Sequence, residues 1–223
     1  MAASHLIFWE VDVQADFMLP EGRLYIPGAE KLLPNIRQLV DVARRGQVLL
    51  ISSADAHNLS DPELLEWPPH CLKDSPGAEL LPQASASPQL VIPNRQNFDF
   101  PDALQSYRQI LLQKNTLDVF DNPNADLLLQ KLAGAVPPLL REDALFVVFG
   151  VATDYCVRCT AEGLLSRRRP LAVVVDAIHA IDEKKGREIL QHLESRGARL
   201  VTAEEALALA ADGAKMRSTG SLG

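Results

Sequence analysis

The sequence predicts an α/β fold, three layers in the order α/β/α around a mainly parallel sheet of about six strands. Two observations carry this expectation. Apolar segments of strand length alternate along the chain with longer segments of helical periodicity. The strand segments are continuous apolar runs rather than alternating ones, the pattern of strands covered on both faces. No internal repeat and no linker composition interrupts the alternation, so residues 1–211 are read as one domain.

In chain order, residues 5–13 (HLIFWEVDV) form the first strand, ending in a carboxylate. Residues 14–27 form a loop punctuated by Pro20, Gly22 and Pro27. Residues 28–45 place Leu32, Leu33, Ile36, Leu39, Val40 and Ala43 at helical spacing. Residues 47–53 (QVLLISS) are a second buried strand. Residues 54–103 are rich in Pro, Asp and Ser and weakly periodic, and a loop of that length inside a compact domain is usually functional. A third strand is expected at 108–113, a helix at 124–133 and the clearest strand at 144–150 (ALFVVFG). Then follow a helix at 155–167, a strand at 171–175, a helix at 183–196, a short strand at 199–201 and a helix at 203–211. The tail 212–223, with its Gly and Ser, is expected to be mobile.

Composition excludes more than it names. A net charge of −7 argues against nucleic-acid binding, which needs a basic stripe, and the one dense basic run is Arg167-Arg168-Arg169. No segment approaches the ~18 consecutive apolar residues of a membrane span. No basic region leads into a long apolar stretch at the N-terminus, so no signal peptide is expected. Three cysteines, an odd number, suit free thiols in a reducing cytoplasm.

Open α/β sheets bind ligands beyond the carboxyl ends of their strands. Asp12, Gln14 and Asp16 follow the first strand, Asp55 and His57 the second, Lys114 the third, and GVATDYC, ending in Cys156, the fourth. A free cysteine ordinarily packs as a small hydrophobe. A helix N-terminus with a lysine beside it instead lowers a thiol's pKa and makes it a nucleophile. Asp12 could take the thiol proton, Lys114 could hold both anions, and Asp16 is the weaker carboxylate, suited to orienting its loop. Asp55-Ala56-His57 and Trp67-Pro68-Pro69-His70 bring carboxylate and imidazole into one loop region, a donor set for Zn²⁺, Fe²⁺ or Mn²⁺, with Glu63 or Glu66 as a further ligand. The Cys156/Cys159 pair also has redox spacing, but it lies late in the chain with Val157-Arg158 between its cysteines. No GxGxxG or Walker motif is present.

Taken together, VDVQADF, DAH, WPPHC, Lys114 and GVATDYCVRCTAE resemble the isochorismatase-like cysteine hydrolases, and among them most closely the nicotinamidases, also called pyrazinamidases. The resemblance spans residues 5 to about 182. It implies an isochorismatase-like fold and a catalytic triad of Asp12, Lys114 and Cys156. It also implies an oxyanion hole at the Ala152 and Cys156 N–H groups and a cis peptide at Val151–Ala152. Pocket aromatics map to Phe17 and Trp67, with Tyr155 beside them. The implied metal ligands are Asp55, His57 and His70, with Glu63 where some relatives carry a further histidine. The cofactor would be a divalent ion, zinc first and iron or manganese next, and the partner a small amide, with homo-oligomers common among relatives. The stretch after WPPHC departs from the family's usual Gly-Thr turn, and the pocket residue after Lys114 is placed only by a guess at Phe120. Two alternatives therefore stay open: hydrolysis of another small amide (ureido, carbamoyl or maleamate type), and a non-catalytic metal-binding protein.

Overall fold

The computed structural model describes residues 4–219. Seven strands form one sheet: β1 (Ser4–Val11), β2 (Leu49–Asp55), β3 (Gln89–Ile92), β4 (Gln109–Lys114), β5 (Leu140–Val151), β6 (Leu171–His179) and β7 (Arg199–Val201). Their order is β3-β4-β2-β1-β5-β6-β7, and every neighbouring pair is parallel. The helices are α1 (Ala15–Met18), α2 (Leu33–Arg44), α3 (Ala125–Gly134), α4 (Arg158–Ser166), α5 (Glu183–Ser195) and α6 (Ala203–Thr219).

Alternate residues of each central strand feed opposite cores. Phe8 and Leu50 meet Ile36, Leu39 and Val40 of α2 and Ala206 of α6. Ile7, Trp9 and Ile51 meet Leu128 and Leu132 of α3, Leu164 of α4 and Leu193 of α5. A strand buried on both faces has no polar side to alternate with, which is why these strands read as unbroken apolar runs. Among the described residues no helix is long and apolar enough to cross a membrane.

The sheet has seven strands rather than about six. The additional one, β3, lies within the stretch 54–103 that the sequence presents as loop. It is four residues long, pairs only with β4 at the sheet edge and buries Ile92 alone, so its apolar run, Leu90-Val91-Ile92, is too short to stand out between prolines. The helix expected at 28–45 begins as a 3₁₀ turn, Ala29–Leu32, before α2. Pro34 is tolerated there because the first helical turn has no N–H partner to lose. The last helix continues through 212–219, within the segment expected to be a tail, and residues 220–223 lie outside the described residues.

After β1 the chain winds to one side through β2 and β4, and β5 then pairs with β1 on its other side. The carboxyl ends of β1 and β5 thus flank the point where the winding reverses, the crevice in which α/β sheets bind ligands.

Candidate active site and metal centre

Asp12 follows β1 in a tight reversal. Its φ is 52°, in the left-handed region, and its carbonyl accepts from Gln14 N–H at 2.8 Å. The turn swings the carboxylate under the sheet end, where Oδ1 accepts from Ser53 Oγ at 2.7 Å and Oδ2 lies 2.9 Å from Lys114 Nζ. Lys114 ends β4, is fully buried, and also contacts Asp55 Oδ1 and Cys156 Sγ, the latter at 3.4 Å. Cys156 sits in a widened π-helical turn, Thr153–Val157, between β5 and α4. The Val151–Ala152 peptide bond entering that turn is cis.

The second residue after Asp12 has its own task. Gln14 Oε1 accepts from Asp55 N–H at 2.7 Å and its Nε2 donates to Asp55 O at 2.8 Å, tying the Asp12 turn to the end of β2. Asp16 orients its loop: Oδ2 accepts from Cys71 N–H at 2.7 Å and Oδ1 from Arg23 N–H at 3.0 Å.

Electrostatics follow from burial around one cation. Burial pushes the Cys156 thiol well above its usual range, and the nearby Asp12 and Asp55 charges add to that, against the opposing pull of Lys114. The lowering that a helix N-terminus and a lysine suggest from the sequence is therefore outweighed by desolvation. Burial also raises Asp12, with Lys114 opposing. Lys114 is itself buried, which would lower it, but the two carboxylates hold it firmly protonated. At rest the thiol is neutral and Lys114 carries its charge.

Asp55 links this group to a second cluster. Its Oδ2 faces His57 Nε2 at 3.7 Å and His70 Nε2 at 3.8 Å. One ligand atom from each of Asp55, His57, Glu63 and His70 lies within 4.8 Å of the others. Asp55 Oδ2 and both ring nitrogens of His57 are buried without a hydrogen-bond partner, which is costly unless something else satisfies them. Burial lowers both imidazoles; it prevails at His70, whereas the Asp55 carboxylate outweighs it at His57. Hard carboxylates and borderline imidazoles converging on one point fit a divalent ion. Glu66, the other carboxylate considered from the sequence, is exposed and outside this cluster.

Both clusters open on one pocket. Asp12, Cys156, Asp55, Glu63 and His70 line it together with Phe17, Trp67, Tyr155 and Ala152. Trp67 and Tyr155 meet edge to face at 5.3 Å, and Phe17 packs on His70 at 5.3 Å. Of the four clustered ligands, His57 does not line the pocket. Val151 at the end of β5, Leu24 and Ile26 of the loop after α1, Leu117 and Ile181 complete the wall; nothing in the sequence marks the loop residues among them. Phe120 is elsewhere, tilted against Trp9 and beneath Arg167. Leu117, three residues earlier, is the pocket residue after Lys114. His179 bonds the Pro27 carbonyl at 3.0 Å, away from this chemistry.

Comparison with protein families matches the isochorismatase domain over residues 6–205. The chain belongs to the isochorismatase-domain family. Among solved structures, N-carbamoylsarcosine amidase from Thermoplasma acidophilum is similar at 25% identity and TM-score 0.67, covering 91% of this chain and 97% of that one. Pyrazinamidase of Pyrococcus horikoshii, solved with zinc, is similar at 24% identity and TM-score 0.68, covering 89% and 99%. A cysteine hydrolase from Pseudomonas syringae shares the fold at 17% identity and TM-score 0.72, covering 94% and 93%. No curated protein sequence gives a significant match. The three-layer parallel fold is thus that of the isochorismatase family, with a cluster compatible with a divalent ion beside its pocket.

Proposed function

We propose that the protein is a cysteine amidohydrolase acting on a small amide. The observation that carries this reading is the placement of Lys114 Nζ 2.9 Å from Asp12 and 3.4 Å from Cys156 Sγ, behind a pocket that Asp12 and Cys156 line. A buried neutral thiol needs a base, and Asp12 is within hydrogen-bonding reach of it. Asp12 takes the Cys156 proton while Lys114 balances the charge that forms on sulfur. The thiolate adds to the amide carbon, forming a C–S bond, and the carbonyl oxygen gains charge toward the Ala152 and Cys156 N–H groups. Collapse breaks the C–N bond, and the proton on Asp12 leaves with ammonia. Water then gives a proton to Asp12 and attacks the thioester, releasing the carboxylate and restoring the thiol.

The finer reading is nicotinamide hydrolysis to nicotinate, with Phe17, Trp67 and Tyr155 flanking the ring. Asp55, His57, His70 and Glu63 would hold a divalent ion, zinc first, whose chemistry is to accept the lone pair of a ring nitrogen and so orient the amide. The pocket's lining favours a neutral substrate, because it contains no arginine or lysine to meet a substrate carboxylate. The likeness to an N-carbamoylsarcosine amidase at 25% identity supports a second reading, hydrolysis of a carbamoyl or ureido compound.

Ammonia release tests both readings, with nicotinamide, N-carbamoyl amino acids, ureido compounds and maleamate each supplied to purified protein before chelation, after it, and after metal add-back. Release from nicotinamide that falls on chelation and returns with metal is the expected result. Release from a carbamoyl or ureido compound alone moves the substrate and keeps the mechanism. A folded, metal-loaded protein silent on every amide overturns the hydrolase reading.

A further inference from the structure

Glu10 is a carboxyl that the proposed reaction leaves unused. It is the next-to-last residue of β1, fully buried, two residues before Asp12. Oε1 accepts from Val13 N–H at 2.9 Å, and Oε2 has no hydrogen-bond partner. Ser52, its register partner on β2, faces it. Ser52 Oγ in turn accepts from Gln109 Nε2 of β4 at 2.7 Å, and Gln109 reaches on to the Ala84 carbonyl at 2.9 Å and the Ala86 N–H at 2.8 Å. A polar row therefore crosses three adjacent strands inside an otherwise apolar layer, from the loop at residues 84–86 to the turn after β1.

Val13 N–H is the group that matters at the end of that row. Asp12 is bracketed by two fixed bonds, its own N–H to Ser53 O at 3.1 Å and its carbonyl from Gln14 N–H at 2.8 Å. Between them the chain holds a non-glycine residue at φ 52°, a conformation that persists only where the surroundings impose it. The Glu10 bond to Val13 N–H, the next backbone donor along the turn, supplies that constraint.

We propose that Glu10 is a positioning residue for Asp12: its carboxyl, through Val13 N–H, fixes the reversed turn that aims the Asp12 carboxylate at Lys114 and Cys156. The catalytic part of this rests on the hydrolase reading above; the geometric part does not. Burial pushes Glu10 up to about 8, with the Val13 and Ser52 bonds opposing and Asp12, the charged group acting on it, adding a little. The acceptor thus stays neutral through pH 7. Ionisation above pH 8 would place a second buried negative charge beside Asp12.

Two variants and two readouts test this. Alkylation of Cys156 by iodoacetamide, followed by peptide mass spectrometry to separate it from Cys71 and Cys159, reads the Asp12-assisted thiol without any substrate. Ammonia release, divided into kcat and KM, reads the reaction. Glu10→Leu should slow Cys156 alkylation at pH 7 about tenfold and lower kcat by a similar factor, with KM within about twofold. Glu10→Gln keeps a neutral acceptor and should hold both rates within about threefold, while its alkylation profile departs from the wild type's above pH 8. A folded Glu10→Leu protein with wild-type rates overturns the proposal. So does a Glu10→Gln protein that is tenfold slow at pH 7, or one whose profile superimposes on the wild type's from pH 6 to 9.5; these two outcomes decide the matter if Glu10→Leu does not fold. Silence in the ammonia assay on every amide with the expected alkylation pattern would overturn the hydrolase reading and leave the geometric role of Glu10 intact.

Discussion

Lys114 and Cys156 touch, yet their removal should have different consequences for stability. Cys156→Ala deletes a small neutral group, so turnover should fall at least ~10³-fold while the urea midpoint stays near the wild type's. Lys114→Met keeps the bulk but leaves Asp12 and Asp55 buried without their shared cation. Breaking a buried pair in this way costs about 3–5 kcal/mol, so this variant should lose stability as well as activity, which urea unfolding will read directly. Glu10 makes a pH prediction of definite sign. Its folded pKa is raised from 4.5 to about 8, so the unfolded chain releases the proton first as pH rises. The stability linked to this group is complete below pH 4.5 and drains away as pH climbs through 8, by as much as ~5 kcal/mol in total. Glu10→Gln cannot ionise, so its stability should overtake the wild type's between pH 5.5 and pH 8.5. Urea midpoints of the two proteins that fall in parallel over that range would contradict the assignment. The charged residue itself was visible in the sequence, as the one carboxylate inside the run HLIFWEV. Its role was not, because Ser52 meets it only once β2 has docked and Val13 only once the chain reverses after β1.

At the scale of elements, the site depends on how closely β1 and β5 approach. Gly150 has φ 121°, and a Cβ there would collide with the Val11 carbonyl oxygen. Gly150→Ala therefore faces both a forbidden conformation and a backbone clash, and neither can relax without parting the strands that carry Asp12 and Cys156. Its thermal midpoint should fall by about 10 °C or more, as expected for a loss of ~3 kcal/mol or more in a chain of this size, and ammonia release should fall with it. The elements that position the site were legible in the sequence for a physical reason. β1, β2, β4 and β5 are buried on both faces, so LIFW, VLLIS, ILL and LFVVF stand out against polar neighbours, and the residues after each run are the ones that converge on the pocket. β3 was not legible: its three apolar residues, Leu90-Val91-Ile92, are too short a run, bounded by Pro88 and Pro93, to mark a strand in the Pro-rich chain around it. Leu117 and Ile181 were hidden for a different reason. A pocket wall built from loops is set by where the loops end up, and hydrophobic residues in loops carry no period to read.

For the molecule as a whole, the pocket is assembled from the ends of β1, β2, β4 and β5 and closed by the excursion between β2 and β3. The later part of that excursion, residues 71–86, is tied to the rest of the chain at several points, among them Cys71 N–H to Asp16 Oδ2 at 2.7 Å and Leu81 N–H to Val13 O at 3.0 Å, whereas its first part is held mainly by bonds within the excursion. His57 N–H bonds Cys71 O at 3.0 Å, Lys73 N–H bonds His57 O at 2.9 Å, and Asp61 accepts from Asn58 N–H at 2.8 Å. Between them the segment 58–67 exposes Leu59 and Leu65 and turns as a short 3₁₀ helix, Pro62–Leu65, that buries no residue. It has little packing of its own to fix Glu63 and Trp67 at the pocket. An ion shared by Asp55 on the sheet and by His57, Glu63 and His70 on the excursion would supply the missing attachment, since anything bound only by the folded state adds RT ln(1 + [L]/Kd) to its stability. At a hundredfold excess over Kd that is about 2.7 kcal/mol. Chelation should therefore lower the thermal midpoint by several degrees and open the chain to limited proteolysis between residues 58 and 67, with both effects reversed by metal add-back. Glu63→Gln removes one ligand from the excursion and leaves the sheet untouched, so it should weaken metal affinity and speed cleavage of that segment while α2 and α5 keep their protection from hydrogen exchange. A chelated protein that resists cleavage there as well as the metal-loaded one would mean that the excursion is held by its own hydrogen bonds, and that the cluster's structural role is confined to the pocket.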